Sequence, residues 1–359
     1  MGRKESEDFP RVFNPQVGDQ SMDSTNTWDT IVIGGGIAGT AVAQRAAMNN
    51  DRVLLLLGDR ETKRKSRSLW VKSMHNIPGL HGVGTRQIIK DTLSYLEGYG
   101  EQCTVLPTKA TRVQSVDKDD DLAWEAAFEV TDEEGLVHHG ASVVLCTGMM
   151  DVQPEIGDSI KPILRYANQQ QVNYCLRCDG HLTKGRGVAT IGHGDGAGWT
   201  AILLHERYGS TQHILLNGEA PEFSDEVLEL LERYNVIVHP QPIQQVHGKP
   251  THHGDLEGIE LADGSTVPAE IAFVSLGGIV YNEFAASLGC QLDDGGYVVI
   301  DEHGESTINN VFAVGDVTSG PMKQVYTAWE YAVRAADAIN ARKRMARRRA
   351  WSKEHKNSA

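Results

Sequence analysis

The strongest pattern along the chain is a series of short, wholly apolar runs that each stop at a glycine. Thr30-Ile-Val-Ile33 runs into Gly34-Gly-Gly36-Ile-Ala-Gly39, a helix-favouring stretch follows to Asn49, and Arg52–Leu57 is apolar again. Continuous apolar runs of this length suit strands buried on both faces of a parallel sheet. The pattern recurs: Val188–Ile191 leads into Gly192-His-Gly194-Asp-Gly-Ala197-Gly198, with a helix predicted over Trp199–Tyr208 and a strand over His213–Asn217. Between the two, Thr104–Val116, Trp124–Thr131 and Leu136–Leu145 alternate around the acidic turn Asp117–Asp121 and predict a small antiparallel insertion. It ends in the apolar strand Val143–Cys146, which stops at Thr147-Gly148, where Cys146 reads as a small buried hydrophobe. Later strands are predicted at Ile271–Leu276, Tyr297–Ile300 and Asn310–Val314, the last ending in Gly315-Asp316, and a helix over Thr327–Ala341. Residues 1–27 are polar and aperiodic, as a flexible arm would be.

Strand, glycine turn, helix, strand is the context that gives a Gly-x-Gly-x-x-Gly spacing its meaning. Gly34, Gly36 and Gly39 allow a tight turn, close approach of a pyrophosphate and close helix–strand packing, and the helix N-terminus then faces the phosphates. Asp59, one residue beyond the usual acidic position after the second strand, is a candidate ribose ligand. Gly192, Gly194 and Ala197 form a second such turn, alanine being a common third residue. The predicted fold class is therefore α/β, with two Rossmann-like dinucleotide-binding domains.

Length supports two domains, since 359 residues exceed what one core usually fills. No apolar run reaches the ~18 residues of a membrane span, and the polar N-terminus carries no signal core, so a cytoplasmic protein without membrane partners is expected. Met1–Ser6 fits a myristoylation pattern that is too short to carry weight. The net charge of −14 is unevenly spread: Arg342–Lys356 holds eight basic residues against Glu354, leaving the remainder near −21. A second basic cluster is Lys63–Arg67. The acidic body and the lack of interleaved aromatics argue against a nucleic-acid partner.

Five cysteines, with one close pair at Cys175 and Cys178, do not make a disulfide framework. The pair is either a redox couple or, with His181, part of a zinc site whose fourth ligand would come from afar.

Taken in order, these pieces resemble the low-molecular-weight thioredoxin reductase-like FAD disulfide oxidoreductases over about residues 28–341. The resemblance rests on Gly34–Gly39, on His75-Asn76-Ile-Pro78-Gly79, on Cys175-Leu-Arg-Cys178-Asp179-Gly180 before the second glycine turn, and on Val311–Asp316 followed by Lys323-Gln324. It implies an FAD domain (28–152 and 277–341) of the ββα sandwich type, split by an inserted nucleotide domain (153–276) that carries the cysteines. A basic tail, 342–359, follows. It further implies a homodimer and FAD held by Asn76, Thr147, Gly148, Gly315, Asp316 and Gln324 together with the first glycine turn. Cys178 would face the flavin, Cys175 would attack a thioredoxin-like protein or small disulfide substrate, and Asp179 would move the proton. A ferredoxin-NADP reductase of the same fold would lack the cysteine pair.

The donor departs from the family's pattern. Where NADPH-using members carry an arginine clamp, this chain has Leu215-Leu-Asn217-Gly218-Glu219-Ala-Pro-Glu222, and an acidic side chain there repels a 2′-phosphate. NADPH is therefore disfavoured. A branch of the family takes electrons from ferredoxin or holds a second FAD in the former NADPH domain; here Trp351 would stack on the flavin and the basic clusters would steer an acidic carrier such as ferredoxin. A conventional NAD(P)H-dependent reductase and a flavin-binding redox sensor without turnover are the alternatives. The loop after Asp59, Glu61–Arg67, differs from the family's usual sequence, and no flavin contact is assigned within it.

Overall fold

The computed structural model describes residues 27–58, 66–67, 71–117, 124–167, 170–249, 256–320 and 322–356. The arm expected over residues 1–27 lies outside them apart from Thr27. The described residues fall into two units, each built on its own parallel sheet.

The first unit takes its residues from Met1–Ser68, Thr85–Met149 and Val280–Ala359. Its strands lie in the order Val311–Ala313, Val143–Leu145, Thr30–Ile33, Val53–Leu56, Cys103–Leu106, all parallel. Thr30–Ile33 and Val53–Leu56 are buried along their whole length, because both faces of this sheet are covered. Val32, Val53 and Leu55 pack against Val42, Ala46, Ala332 and Ile339 on one side. Those residues come from helices Ile37–Met48 and Val325–Lys356. Ile31, Ile33, Leu54 and Leu56 meet Val113, Phe128 and Val130 on the other, from an antiparallel sheet of Ala110–Ser115, Phe128–Asp132 and Val137–Gly140.

Two predicted segments are each divided. Thr104–Val116 breaks around Pro107, which has no N–H to give a ladder; residues 103–106 join the parallel sheet and 110–115 the antiparallel one. Leu136–Leu145 likewise splits into Val137–Gly140 and Val143–Leu145. Tyr297–Ile300 forms no strand, and Val298 makes only isolated bridges to Leu292 and Thr318. The last helix does not stop near Ala341 but runs to Lys356, so the basic tail continues the helix as far as it is described. Among the described residues no helix is long and apolar enough to cross a membrane.

The second unit takes its residues from Leu69–Gly84 and Met150–Ile279. Its parallel order is Ile237–His239, Thr211–Leu215, Gly187–Ile191, Ile271–Val274, Val172–Asn173. Ala197, Ile202, Val227 and Leu231 of helices Asp195–Tyr208 and Asp225–Arg233 cover Ile214 on one face. A meander of Ile243–Gly248, Leu256–Leu261 and Thr266–Val267 covers Ala189, Ile191 and Leu215 on the other. Residues 71–84, expected within the first nucleotide domain, group with this second unit by their contacts.

Candidate functional site

In the first unit the glycine turn closes tightly on its neighbours. Gly34, at φ 114°, lies so near Cys146 that a Cβ would sit 2.4 Å from the Cys146 carbonyl oxygen, and a Cβ on Gly39 would sit 1.8 Å from that of Gly34. No side chain fits at either position. Gly36, the N-cap of Ile37–Met48, faces open space instead, with no side-chain cap and no acidic residue in the helix's first turn. That helix end offers N–H groups and partial positive charge to an anion. Thr147 and Gly148 follow the adjacent strand Val143–Leu145, and Gly315 and Asp316 follow Val311–Ala313. A Cβ on Gly315 would lie 2.8 Å from the Ala38 Cβ, so the closing motif abuts the turn. All three pieces thus meet at the carboxyl ends of neighbouring parallel strands, where open α/β sheets bind nucleotides. An uncapped helix end beside a cradle with no room for side chains fits the diphosphate of FAD.

Not every expected cofactor residue stands in this cradle. Thr147 Oγ1 donates to the Tyr281 carbonyl at 2.5 Å, and Gln324 is buried just before the last helix. Asn76 belongs by contacts to the second unit, and Asp59 lies outside the described residues. Trp351 is 60% exposed on the last helix, its ring stacked on His355 at 4.2 Å between centroids.

Two residues that sequence reasoning passed over stand in this region. Ser66 Oγ approaches Gly148, 3.8 Å from where a Cβ there would be. Arg67 is within electrostatic reach of Lys323, whose ammonium donates to the Thr318 carbonyl and lies 3.8 Å from the centre of the Tyr297 ring. Burial lowers the Lys323 pKa, Asp316 and Asp293 oppose that, and Arg67 adds to it. The unfamiliar sequence of the 61–67 loop hid Ser66 and Arg67; Lys63, Arg64 and Lys65 of the same basic cluster lie outside the described residues.

The second glycine turn differs electrostatically. Gly194 caps Asp195–Tyr208, and Asp195 stands in the first turn, its carboxylate accepting the Ser224 N–H at 2.7 Å. Glu222 N–H donates to the His193 carbonyl at 2.7 Å, and the Glu222 carboxylate is 3.7 Å from His193 Nδ1. Asn217, in the left-handed region at φ 55°, uses its amide to bridge the Glu155 carbonyl and the Ile243 N–H, at 2.9 and 2.8 Å. The stretch that would grip a 2′-phosphate thus holds a structural asparagine and two carboxylates, with no cation from Leu215 to Ser224.

The cysteine pair lies in the same unit. Cys175 and Cys178 are joined by a disulfide, their Cα atoms 5.3 Å apart. Cys175 precedes the single turn Leu176–Asp179, and the Cys178 N–H donates to Cys175 Sγ at 3.2 Å. Leu176 and Leu182 anchor the turn against Leu204 and Phe273. Asp179 is only partly exposed, and burial pushes its carboxyl up to about 6. It therefore passes between acid and base near neutral pH, as proton transfer to a departing thiolate requires. By contrast Cys103 and Cys146 are buried thiols, that of Cys103 pushed up to about 12 and that of Cys146 higher still by burial, so neither is a nucleophile. Asp179→Asn is expected to abolish a pH dependence: in the native protein disulfide reduction, followed by thiol appearance, should slow as pH rises through about 6. The variant should be slower throughout and flat across that range, and a variant that retains the inflection would remove Asp179 from the proton path.

A sequence profile described as pyridine nucleotide-disulphide oxidoreductase matches residues 28–334. An NADH dehydrogenase of Ferdinandcohnia aciditolerans is 27% identical over 307 residues, 83% of this chain and 54% of that protein. A thioredoxin reductase of Aquifex aeolicus is 23% identical over 318 residues, 87% and 92% respectively. The chain thus spans little more than half the length of several curated relatives it matches, and nearly all of that thioredoxin reductase. Among solved structures, a putative thioredoxin reductase TrxB from Bacillus anthracis superposes with a TM-score of 0.72 at 21% identity, over 88% of this chain and 97% of that one. At that identity the likeness speaks for the two-domain Rossmann-like fold.

Proposed function

The chain belongs to the pyridine nucleotide-disulphide oxidoreductase family, and from that premise we propose that it is a thioredoxin reductase-like flavoenzyme passing two electrons from FAD to the Cys175–Cys178 disulfide and on to a thioredoxin-like or other disulfide substrate. The observation that carries this reading is the disulfide itself, followed directly in the chain by Asp179, whose carboxyl burial pushes up to about 6. FAD supplies the two-electron reductant. Gly34, Gly36, Gly39, Thr147, Gly148, Gly315, Asp316 and Gln324 of the first unit would hold it.

Two electrons and two protons open the Cys175–Cys178 bond, Asp179 giving one of the protons. The Cys175 thiolate then attacks a substrate sulfur, breaking the substrate disulfide and forming a mixed disulfide. Cys178 attacks Cys175 in turn, restoring the internal bond and releasing the reduced substrate.

For the donor, Glu219, Glu222 and the absent clamp disfavour NADPH. Asp195 already occupies the place where the helix end favours negative charge, which also disfavours a second FAD at Gly192, Gly194 and Ala197. An acidic carrier protein of the ferredoxin type is the reading we retain. Arg344, Arg347, Arg348 and Arg349 are exposed on the last helix beside Trp351, a surface suited to steering such a carrier. A cytoplasmic homodimer is the working form we take for the enzyme.

The test is a titration of the purified protein. One flavin per chain, bleached by a reduced ferredoxin but not by NADPH or NADH, is the expected result. Bleaching by NADPH would restore the conventional reductase, two flavins per chain would restore the second FAD, and a colourless protein would end the proposal.

A further inference from the structure

Two imidazoles meet at the edge of the second sheet. His213 lies in Thr211–Leu215, and His239 ends the neighbouring edge strand Ile237–His239. Their ring centroids are 5.3 Å apart at 32° between planes, and His213 Nδ1 lies 3.1 Å from His239 Nε2. At that distance one hydrogen stands between the two nitrogens, one ring donating and the other accepting. His213 is 7% exposed. It shares a face with Leu215, two residues on, and that face lies under the meander. The edge strand has little apolar anchorage of its own: Ile237 is exposed, and Val238 and His239 are half-buried. It nevertheless holds the chain beside it. Leu216 N–H donates to the His239 carbonyl at 2.9 Å, and Gly218 N–H to the Pro240 carbonyl at 3.1 Å.

We propose that His213 and His239 form an acid-sensitive clasp, which opens when both rings carry a proton and then frees the edge strand and the Leu216–Glu219 stretch. Two protonated imidazoles set N–H against N–H and charge against charge, so the bond between them does not survive the second proton. Water accepts both charged rings once the strand has parted. The clasp is independent of the redox chemistry proposed above.

Titration agrees in direction with this geometry. Burial lowers both pKa values from the ordinary 6.5; His239 adds to the lowering at His213, and Asp263 opposes it at His239. A folded-state pKa below the unfolded one marks stability that is complete above about 6.5 and is lost as pH falls through the folded values. The surrounding elements do not reverse the sign. In register with His213 stand Ala189 on the inner strand Gly187–Ile191 and Ile237 on the edge strand, neither of them charged. Leu215 stands in register with His239. The meander brings Asp263, whose carboxylate accepts the Ser265 N–H at 2.9 Å and the Ser265 hydroxyl at 2.6 Å. Those bonds hold the Asp263 carboxyl below its ordinary range, so it stays ionised while the imidazoles titrate.

The test is amide exchange of the flavin-loaded full chain, read by mass spectrometry from pH 7.5 to 5.0 and corrected for the intrinsic rate at each pH. For one proton taken up on opening, protection of peptides spanning 211–219 and 236–240 should fall about tenfold between pH 6 and pH 5. Val188–Ile191, inside the sheet, should stay protected. His239→Gln keeps a hydrogen-bonding side chain but removes the second charge, and its fall should be less than half as steep. His213→Gln/His239→Gln should show no fall. Native protection that does not change over this range, or a His239→Gln profile that overlays the native one, would overturn the proposal. A substituted edge that is loose at every pH would mask the comparison, so the native rings are also titrated by NMR with carbon-13-labelled histidine. Both midpoints are expected below 6.5, the ordinary value; midpoints at or above it would rule out the clasp whatever the variants do.

Discussion

Cys178→Ser is expected to lower disulfide turnover by on the order of 10³-fold or more while leaving the flavin in place. The size follows from the chemistry: without Cys178 no internal disulfide forms, and nothing resolves the bond between Cys175 and its substrate. Residues that act as one unit lose most of their effect together. The double variant Cys175→Ser/Cys178→Ser should therefore be little worse than either single one. The singles should differ in what accumulates. Cys178→Ser retains the attacking thiol and should trap substrate as a mixed disulfide, visible by mass spectrometry; Cys175→Ser should not. Retention of flavin is expected because the cysteines and the first glycine turn belong to different units. A bridge closing so short a loop contributes about 2 kcal/mol or less in the chain-entropy picture, so a modest fall in Tm should accompany the variant. A Cys178→Ser protein that still turns over its disulfide substrate would refute the mechanism.

What the sequence made legible was whatever a local pattern carries. Thr30–Ile33, Val188–Ile191 and the helices after both glycine turns announce themselves because a doubly covered strand is apolar throughout and a turn that admits no Cβ must be glycine. The cysteine pair is equally local, its two members sharing one helical turn. Legibility fails where partners lie far apart in sequence. The meander at Ile243–Val267 alternates weakly, Ile243 and Val246 buried with Gln244 and Gln245 exposed between them, and so gives no clean period of two. Ser66 and Arg67 fall in a stretch that matches no expected motif, and only tertiary placement brings them near Gly148 and Lys323. His75 meets His181 for the same reason. Asp179 was visible as a residue, but its shifted titration is a consequence of burial that spacing does not encode.

The basic stretch after Ala341 offers the sharpest case, since one of its lysines is not a surface charge at all. Lys343 is 3% exposed, its ammonium bound to the Asp29 carboxylate and, at 2.9 Å, to Asp51 Oδ1. Asn340 Nδ2 also donates to Asp51 Oδ1 at 2.9 Å, while Trp124 Nε1 and the Arg52 N–H reach Asp29 at 2.6 and 2.7 Å. This cluster pins the last helix to the amino ends of the strands Thr30–Ile33 and Val53–Leu56 in the middle of the first sheet. Lys343→Ala would leave Asp51, 0% exposed, without its countercharge. Breaking a buried pair by removing one partner costs about 3–5 kcal/mol, and that is the expected loss in urea denaturation near neutral pH. Burial already holds the Asp51 carboxyl above its ordinary range, with Lys343 and Asn340 opposing the rise. A raised folded-state pKa means that the neutral form is the one the fold favours, and that advantage is lost as pH rises through it. Without Lys343 the rise is larger, so the penalty of the variant should be greatest at alkaline pH and shrink toward pH 4, where Asp51 takes up a proton. Lys343→Ala/Asp51→Asn should then recover part of the loss, with a coupling of about 0.5–3 kcal/mol between the two sites. Equal losses at pH 4 and pH 8, or strictly additive variants, would mean that the helix is held by packing and that the buried charges are incidental.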